Sequence, residues 1–149
     1  MLTRATTDEL ADLAEIITTL ARDIERHHAR DPEITELTMG EQAVMRYVDR
    51  HPGATPSEIA EDVGMQRPNL SATLRKLEEK GLVVRSTGVG DKRGKVVDPT
   101  PRAAENLRRL RAVWSDAVAP AASEAGIAEL TSRLSAIREL VVAGRAGQS

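Results

Sequence analysis

A Thr-x-x-Glu tetrad precedes an apolar periodic run three times: "TTDE" from Thr6 to Glu9, "TMGE" from Thr38 to Glu41 and "TPSE" from Thr55 to Glu58. In this arrangement the threonine oxygen accepts from the N–H three residues on, and the glutamate reaches back to the threonine N–H. Two otherwise orphaned donors at a helix start are thereby satisfied. Three helix origins are fixed in this way, and the residues after each set its length. After the first, Leu10, Leu13, Ile17, Leu20 and Ile24 recur at steps of three and four, a long amphipathic stripe that runs toward Pro32. The second carries Val44, Tyr47 and Val48 and stops at "HPG". The third has Pro56 at its first position, Ile59 and Val63 inward, and Gly64 at its end.

The next stretch, "MQRPNLSATLRKLEEKGL", is a helix over 65–80, with Pro68 in its first turn and Gly81 at its end. Leu70, Leu74 and Leu77 share one face. Gln66, Arg67, Asn69, Ser71, Thr73, Arg75 and Lys76 form the polar remainder. The period then changes. Leu82 to Arg85 and Lys95 to Val97 are short β-prone runs joined by a glycine-rich, charged tip, the pattern of a hairpin. Thr100 and Pro101 launch a further helix through Leu107, Leu110, Val113 and Trp114 to near Pro120. A last helix uses Ile127, Leu130, Leu134, Ile137 and Val141, and "GRAGQS" is a frayed tail.

These elements predict a mainly α fold with a small β-hairpin wing: a winged helix-turn-helix over 38–99, flanked by long helices over 7–30 and 101–143, all within one domain of 149 residues. The flanking stripes carry more apolar surface than a small winged domain can cover, so they predict a homodimer. No segment has the apolar length of a membrane span, and the opening "MLTRATTDELADL" does not read as a signal peptide. A cytoplasmic protein is expected.

Charge is segregated. Residues 1–64 carry 6 Lys/Arg against 14 Asp/Glu, residues 65–95 carry 8 against 3, and residues 96–149 carry 7 against 6. A chain of net charge -2 thus concentrates its positive charge on one helix and the hairpin after it. That arrangement suits double-stranded DNA. A helix fits the major groove, where arginine pairs with guanine and asparagine or glutamine with adenine, and hydroxyls bond phosphates or bases. Arg93, between the glycines of the wing, is placed to reach the adjacent minor groove, with Lys92 and Lys95 on phosphates. Asp91 either orients a neighbouring basic group or forms the turn.

The order of elements, "LRKLEEKGLV" and above all "DKRG" (Asp91 to Gly94) resemble the MarR family of bacterial transcriptional regulators over nearly the whole chain. The resemblance implies an obligate homodimer joined through its terminal helices, bound to palindromic promoter DNA, usually as a repressor. It also implies a small phenolic or lipophilic effector that binds between those helices and the winged domain and releases the DNA. Regulation through cysteine is closed, because there is no cysteine. The chain departs from the family's pattern at Ala72, where a basic residue often follows the central hydroxyl, which shifts base reading toward Arg67 and Asn69. It departs again at Pro99 and Ala103, in the strand-to-helix junction.

Each of these residues has a plainer reading. The polar set on 65–80 could be a solvated face, with Arg75 paired to Glu78 or Glu79. Tyr47, Trp114 and His27 are candidates for an effector pocket or else for packing. His27 and His28, being adjacent, point about 100° apart on a helix and do not form a metal pair. No carboxylate pair, nucleophile with its base, or metal-ligand cluster stands out, so no enzyme, cofactor or metal is expected. The competing function is a winged-helix protein-interaction module whose basic surface meets an acidic protein.

Overall fold

A computed structural model of the chain describes residues 4–27, 31–90, 94–123 and 126–146. All three capping boxes form. Thr6, Thr38 and Thr55 each accept from the N–H three residues on, and each glutamate carboxylate receives the threonine N–H. They start α1 (Thr7–Glu25), α2 (Met39–Arg50) and α3 (Pro56–Val63). Then come α4 (Arg67–Glu79), β1 (Val83–Thr87), β2 (Lys95–Pro99), α5 (Pro101–Val118), a short 3-10 turn at Ala119–Ala121, and α6 (Ile127–Ala146).

α1 ends earlier than the apolar stripe and Pro32 suggested. The His27 N–H bonds the Ile24 carbonyl at 3.1 Å, one residue tighter than the α pattern, and the His27 ring Nδ1 lies 3.0 Å from the Asp23 carbonyl. The ring thus occupies the carbonyl that the next helical N–H would have used. His28 lies outside the described residues.

α4 ends in the geometry its Gly81 anticipates. Gly81 has φ +71, its N–H bonds the Glu78 carbonyl, and the Leu82 N–H bonds the Leu77 carbonyl, both at 2.9 Å. A side chain at Gly81 would be strained in this left-handed conformation, which is why the helix can turn directly into β1.

β1 and β2 pair antiparallel from Val83 opposite Pro99 to Thr87 opposite Lys95. Each strand reaches two residues past the β-prone run that marked it. The extension comes from the pairing itself: Asp98 and Pro99 lie opposite Val84 and Val83 at the base, and Gly88 N–H to Gly94 carbonyl, at 2.7 Å, closes the ladder beyond Thr87 at the tip. The hairpin base is held from the other side as well. Val97 exchanges bonds with the α2–α3 turn, Val97 N–H to Ala54 carbonyl at 2.8 Å and Gly53 N–H to Val97 carbonyl at 3.0 Å.

One aliphatic core joins these parts. Val44, Val48, Ile59, Leu70, Leu74, Leu77, Leu82, Val83 and Val97 are all essentially inaccessible. α5 is locked to the segment before α2 through polar contacts. The Thr35 N–H donates to the buried Asn106 Oδ1 at 2.8 Å, and Arg109 engages Asp31, Glu33 and Glu105.

The terminal helices are different in kind. α1 buries none of its residues, and Leu10 is 56% exposed, Leu20 49% and, on α6, Val141 60%. No helix among the described residues is long and apolar enough to cross a membrane.

Candidate nucleic-acid interface

The interface candidate begins with how α3 and α4 are joined. Gly64, at φ +66, caps α3 in the left-handed conformation, and the Met65 N–H returns to the Ala60 carbonyl at 3.0 Å. The chain therefore turns within Gly64–Gln66 and enters α4 with Pro68 in its first turn, where a missing N–H costs nothing. Leu70, Leu74 and Leu77 then anchor α4 to α2 and α3 and leave its other half in solvent.

Asn69, Ser71, Arg75 and Lys76 are exposed along that half, and Gln66 and Arg67 are exposed at the helix start. Thr73 is half-buried on the flank. Its hydroxyl donates to the Asn69 carbonyl at 2.9 Å and lies 3.6 Å from Met65 Sδ, so it is engaged within the protein. Arg67 reaches back across the turn to Ser57 Oγ at 3.4 Å.

Arg75 takes neither of the partners the sequence offered it. Glu78 is held by Arg85 of β1, and that hydrogen bond, together with the Arg85 charge, outweighs desolvation and keeps the Glu78 carboxyl below the ordinary glutamate range. Arg75 has no ion pair among the described residues. Its charge reaches Glu78 only at longer range, so the acidic residues that come after it in sequence offset the basic surface of α4 only in part.

In the wing, Lys95 is exposed at the start of β2, and Val89 stands almost wholly in solvent at the tip. Asp91, Lys92 and Arg93 lie outside the described residues.

A contact that sequence reasoning missed supports α4 from behind. Lys80, at the end of the helix, donates to Glu41 Oε2 at 2.7 Å and to the Glu36 carbonyl at 2.8 Å. Glu41 is 2% exposed and is the same carboxylate that closes the capping box of α2. Burial pushes this carboxyl up, but the Lys80 hydrogen bond, the Thr38 N–H and the charges of Lys80 and Lys76 outweigh it and leave Glu41 below its usual value.

The three effector-pocket candidates are not brought together. Trp114 lines a cavity of about 40 Å³ between α2 and α5, walled by Leu37, Met45, Leu82, Leu107 and Leu110. Tyr47 stacks instead on His51, with ring centroids 4.3 Å apart, and His27 closes α1. A larger groove of about 580 Å³ runs between α1, α6 and the winged part, lined by Ile17, Leu20, Leu134 and Val141 with Arg46 and Arg138 beside them. Desolvation, and then the charges of Arg138 and Arg50, lower the pKa of Arg46.

Comparison with known proteins places this arrangement. Residues 37–95, from just before α2 to the first residue of β2, match the MarR family. A candidate transcriptional regulatory protein for the hcr operon of Thauera aromatica is 31% identical over 86 residues, which cover 57% of this chain and 52% of that protein. The matched part thus spans about half the length of that curated relative. The crystal structure of a candidate transcriptional regulator from Pseudomonas aeruginosa is 30% identical, with 92% of this chain and 98% of that one covered, at a TM-score of 0.66. The transcriptional repressor CouR, in a structure bound to a 23-mer DNA duplex, is 25% identical, with 93% and 99% covered, at a TM-score of 0.67. With its helix-turn-helix inside the matched segment and a winged fold shared along almost its whole length, the chain belongs to the MarR family of transcriptional regulators.

Proposed function

We propose that the protein binds a palindromic promoter duplex as a homodimer, with α4 in the major groove and the wing on the adjacent minor groove, and that it acts as a repressor. The observation that carries this reading is the face of α4. Three buried leucines hold the helix while Asn69, Ser71, Arg75 and Lys76 stand in solvent on the faces turned away from them and Arg67 is exposed at its first position, and Arg75 makes no ion pair among the described residues. Lys92, Arg93 and Lys95 supply the wing contacts, with Asp91 orienting them. CouR, which shares the fold, is a repressor held on DNA, and this supports the same use of the surface here. Dimerisation through α1 and α6 covers the apolar stripes that the protomer leaves exposed. Two copies related by a two-fold axis would then meet half-sites about 34 to 36 Å apart.

Selection from random duplexes is expected to enrich one palindrome, bound with an affinity that falls steeply with salt. Sedimentation is expected to give twice the protomer mass. Failure to enrich any sequence, with retention of an acidic protein partner, would point to the interaction-module reading instead.

An effector, in this reading, enters the groove of about 580 Å³ rather than the Trp114 cavity, whose roughly 40 Å³ is too small for a phenol without opening. Aliphatic walls beside Arg46 suit an amphipathic aromatic acid, with Arg138 already 3.6 Å from Asp62 at the same groove. Thermal-shift titration with phenols and aromatic acids is expected to show stabilisation that Arg46→Ala diminishes, and no stabilisation by any of them would count against this effector class.

A further inference from the structure

Leu70, Leu74 and Leu77, each at most 1% exposed, define the direction in which α4 faces the core. At about 100° per residue, Leu74 and Leu77 fall within about 40° of Leu70 around the axis, and the opposite direction is occupied by Pro68, Ala72 and Glu79. All three are exposed. The crest of the helix is therefore not made of its basic residues. It is a proline ring and a methyl group one turn apart, with Ser71 and Arg75 on one flank and Asn69 and Lys76 on the other.

Glu79 decides which half of the crest goes deeper. Its neighbour Glu78 is neutralised by Arg85, whereas Glu79 has no ion pair among the described residues. An unpaired carboxylate on the crest is repelled by phosphates, so the helix enters the groove by its N-terminal half, where recognition helices commonly make their base contacts. Pro68 and Ala72 are then the side chains nearest the base edges.

Neither side chain can donate or accept a hydrogen bond, and Pro68 lacks a backbone N–H as well. The one apolar feature that base edges offer in the major groove is the 5-methyl group of thymine. We propose that each half-site carries a thymine whose 5-methyl group is seated between the Pro68 ring and the Ala72 methyl. This contact fixes the base at the centre of the half-site, while the flanking polar residues read its neighbours. The proposal rests on the DNA-binding reading above and adds to it the identity of one base and the two residues that choose it.

Uracil is thymine without the 5-methyl group, so the test uses the wild-type protein and altered DNA. In the enriched palindrome each thymine is replaced in turn by deoxyuridine. At one position per half-site, the replacement is expected to weaken binding roughly fourfold, and roughly fifteenfold when both half-sites are changed, the effect of leaving one or two methyl groups unburied. In Ala72→Gly that difference should shrink toward unity. In Ala72→Gln, selection should shift from thymine toward adenine at the same position. Retained salt-dependent binding to random duplex shows that each variant is folded. A palindrome in which deoxyuridine is tolerated at every thymine overturns this proposal and leaves the DNA reading standing, as does a uridine effect that Ala72→Gly leaves unchanged. Failure to enrich any duplex overturns both.

Discussion

Replacing Lys80 by methionine is expected to cost about 3 kcal/mol of folding stability at neutral pH. The side chain is two-thirds covered, and its Nζ lies 2.7 Å from a Glu41 carboxylate that is almost completely buried. Methionine keeps the apolar stem packed but withdraws the charge, so Glu41 is left ionised in the core with the Thr38 N–H and the more distant charge of Lys76 to compensate it. The large effect comes from the abandoned carboxylate rather than from the worth of the pair.

The pH dependence carries a sign that distinguishes this cause from loss of packing. In the wild type the folded-state pKa of Glu41 is depressed. The stability it contributes is therefore fully present above the unfolded value, near pH 4.5, and is lost as pH falls through the lower folded value. In Lys80→Met the desolvation remains and the main compensation is gone, so the folded pKa moves up. The penalty of the variant is then greatest at pH 7 and shrinks as pH approaches 4, where the carboxyl can be neutral. Urea unfolding at pH 7 and pH 4 measures this, and adding Glu41→Gln to Lys80→Met should recover more than half of the loss. A deficit equal at both pH values, and not relieved by Glu41→Gln, would mean that packing alone is at stake.

This contact shows where sequence reasoning stops. The capping role of Glu41 follows from a local rule, because threonine and glutamate three residues apart can satisfy each other whatever the rest of the chain does. Its bond to Lys80, 39 residues away, depends on how α2 and α4 cross, and no periodicity records that. The same division runs through the whole molecule. Helix origins, the buried leucines of α4, Gly64 and Gly81 were legible, since each depends on neighbours within a turn or on a conformation that glycine adopts readily. The end of α1 was not, because the His27 ring competes for a carbonyl that the apolar stripe would have assigned to helix.

The candidate site was legible in the same partial way. That Asn69, Ser71, Arg75 and Lys76 stand outward is a consequence of the leucine spacing, and Gln66 and Arg67 are exposed because they lie at the start of the helix. That Thr73 is engaged by Asn69 and Met65 emerges only from the fold. The separate settings of Tyr47, Trp114 and His27 were not legible for a related reason. Aromatic identity marks residues able to line a pocket, but the face of α2 that Tyr47 occupies turns it toward His51 and away from Trp114.

Arg75→Glu is expected to weaken binding to the selected palindrome by roughly a hundredfold at about 0.1 M salt while changing the unfolding free energy by less than about 0.5 kcal/mol. Arg75 is exposed and has no ion pair among the described residues, because Arg85 has taken Glu78. Its removal leaves no buried partner stranded, in contrast to Lys80. On DNA the balance reverses. Each protomer loses a contact of about 1 to 3 kcal/mol and gains a carboxylate facing phosphates, and a two-fold dimer does so twice. If the guanidinium meets phosphate, the slope of log affinity against log salt should also fall by about two, close to one released counterion per protomer. If it meets a guanine edge, the slope changes less and the discrimination at that base pair is lost. Electrophoretic mobility titrations at three salt concentrations, with base-substituted palindromes alongside, separate these outcomes. An affinity within twofold of the wild type would remove Arg75 from the interface and move the weight of binding to the N-terminal half of α4, where Asn69 and the Pro68–Ala72 crest lie.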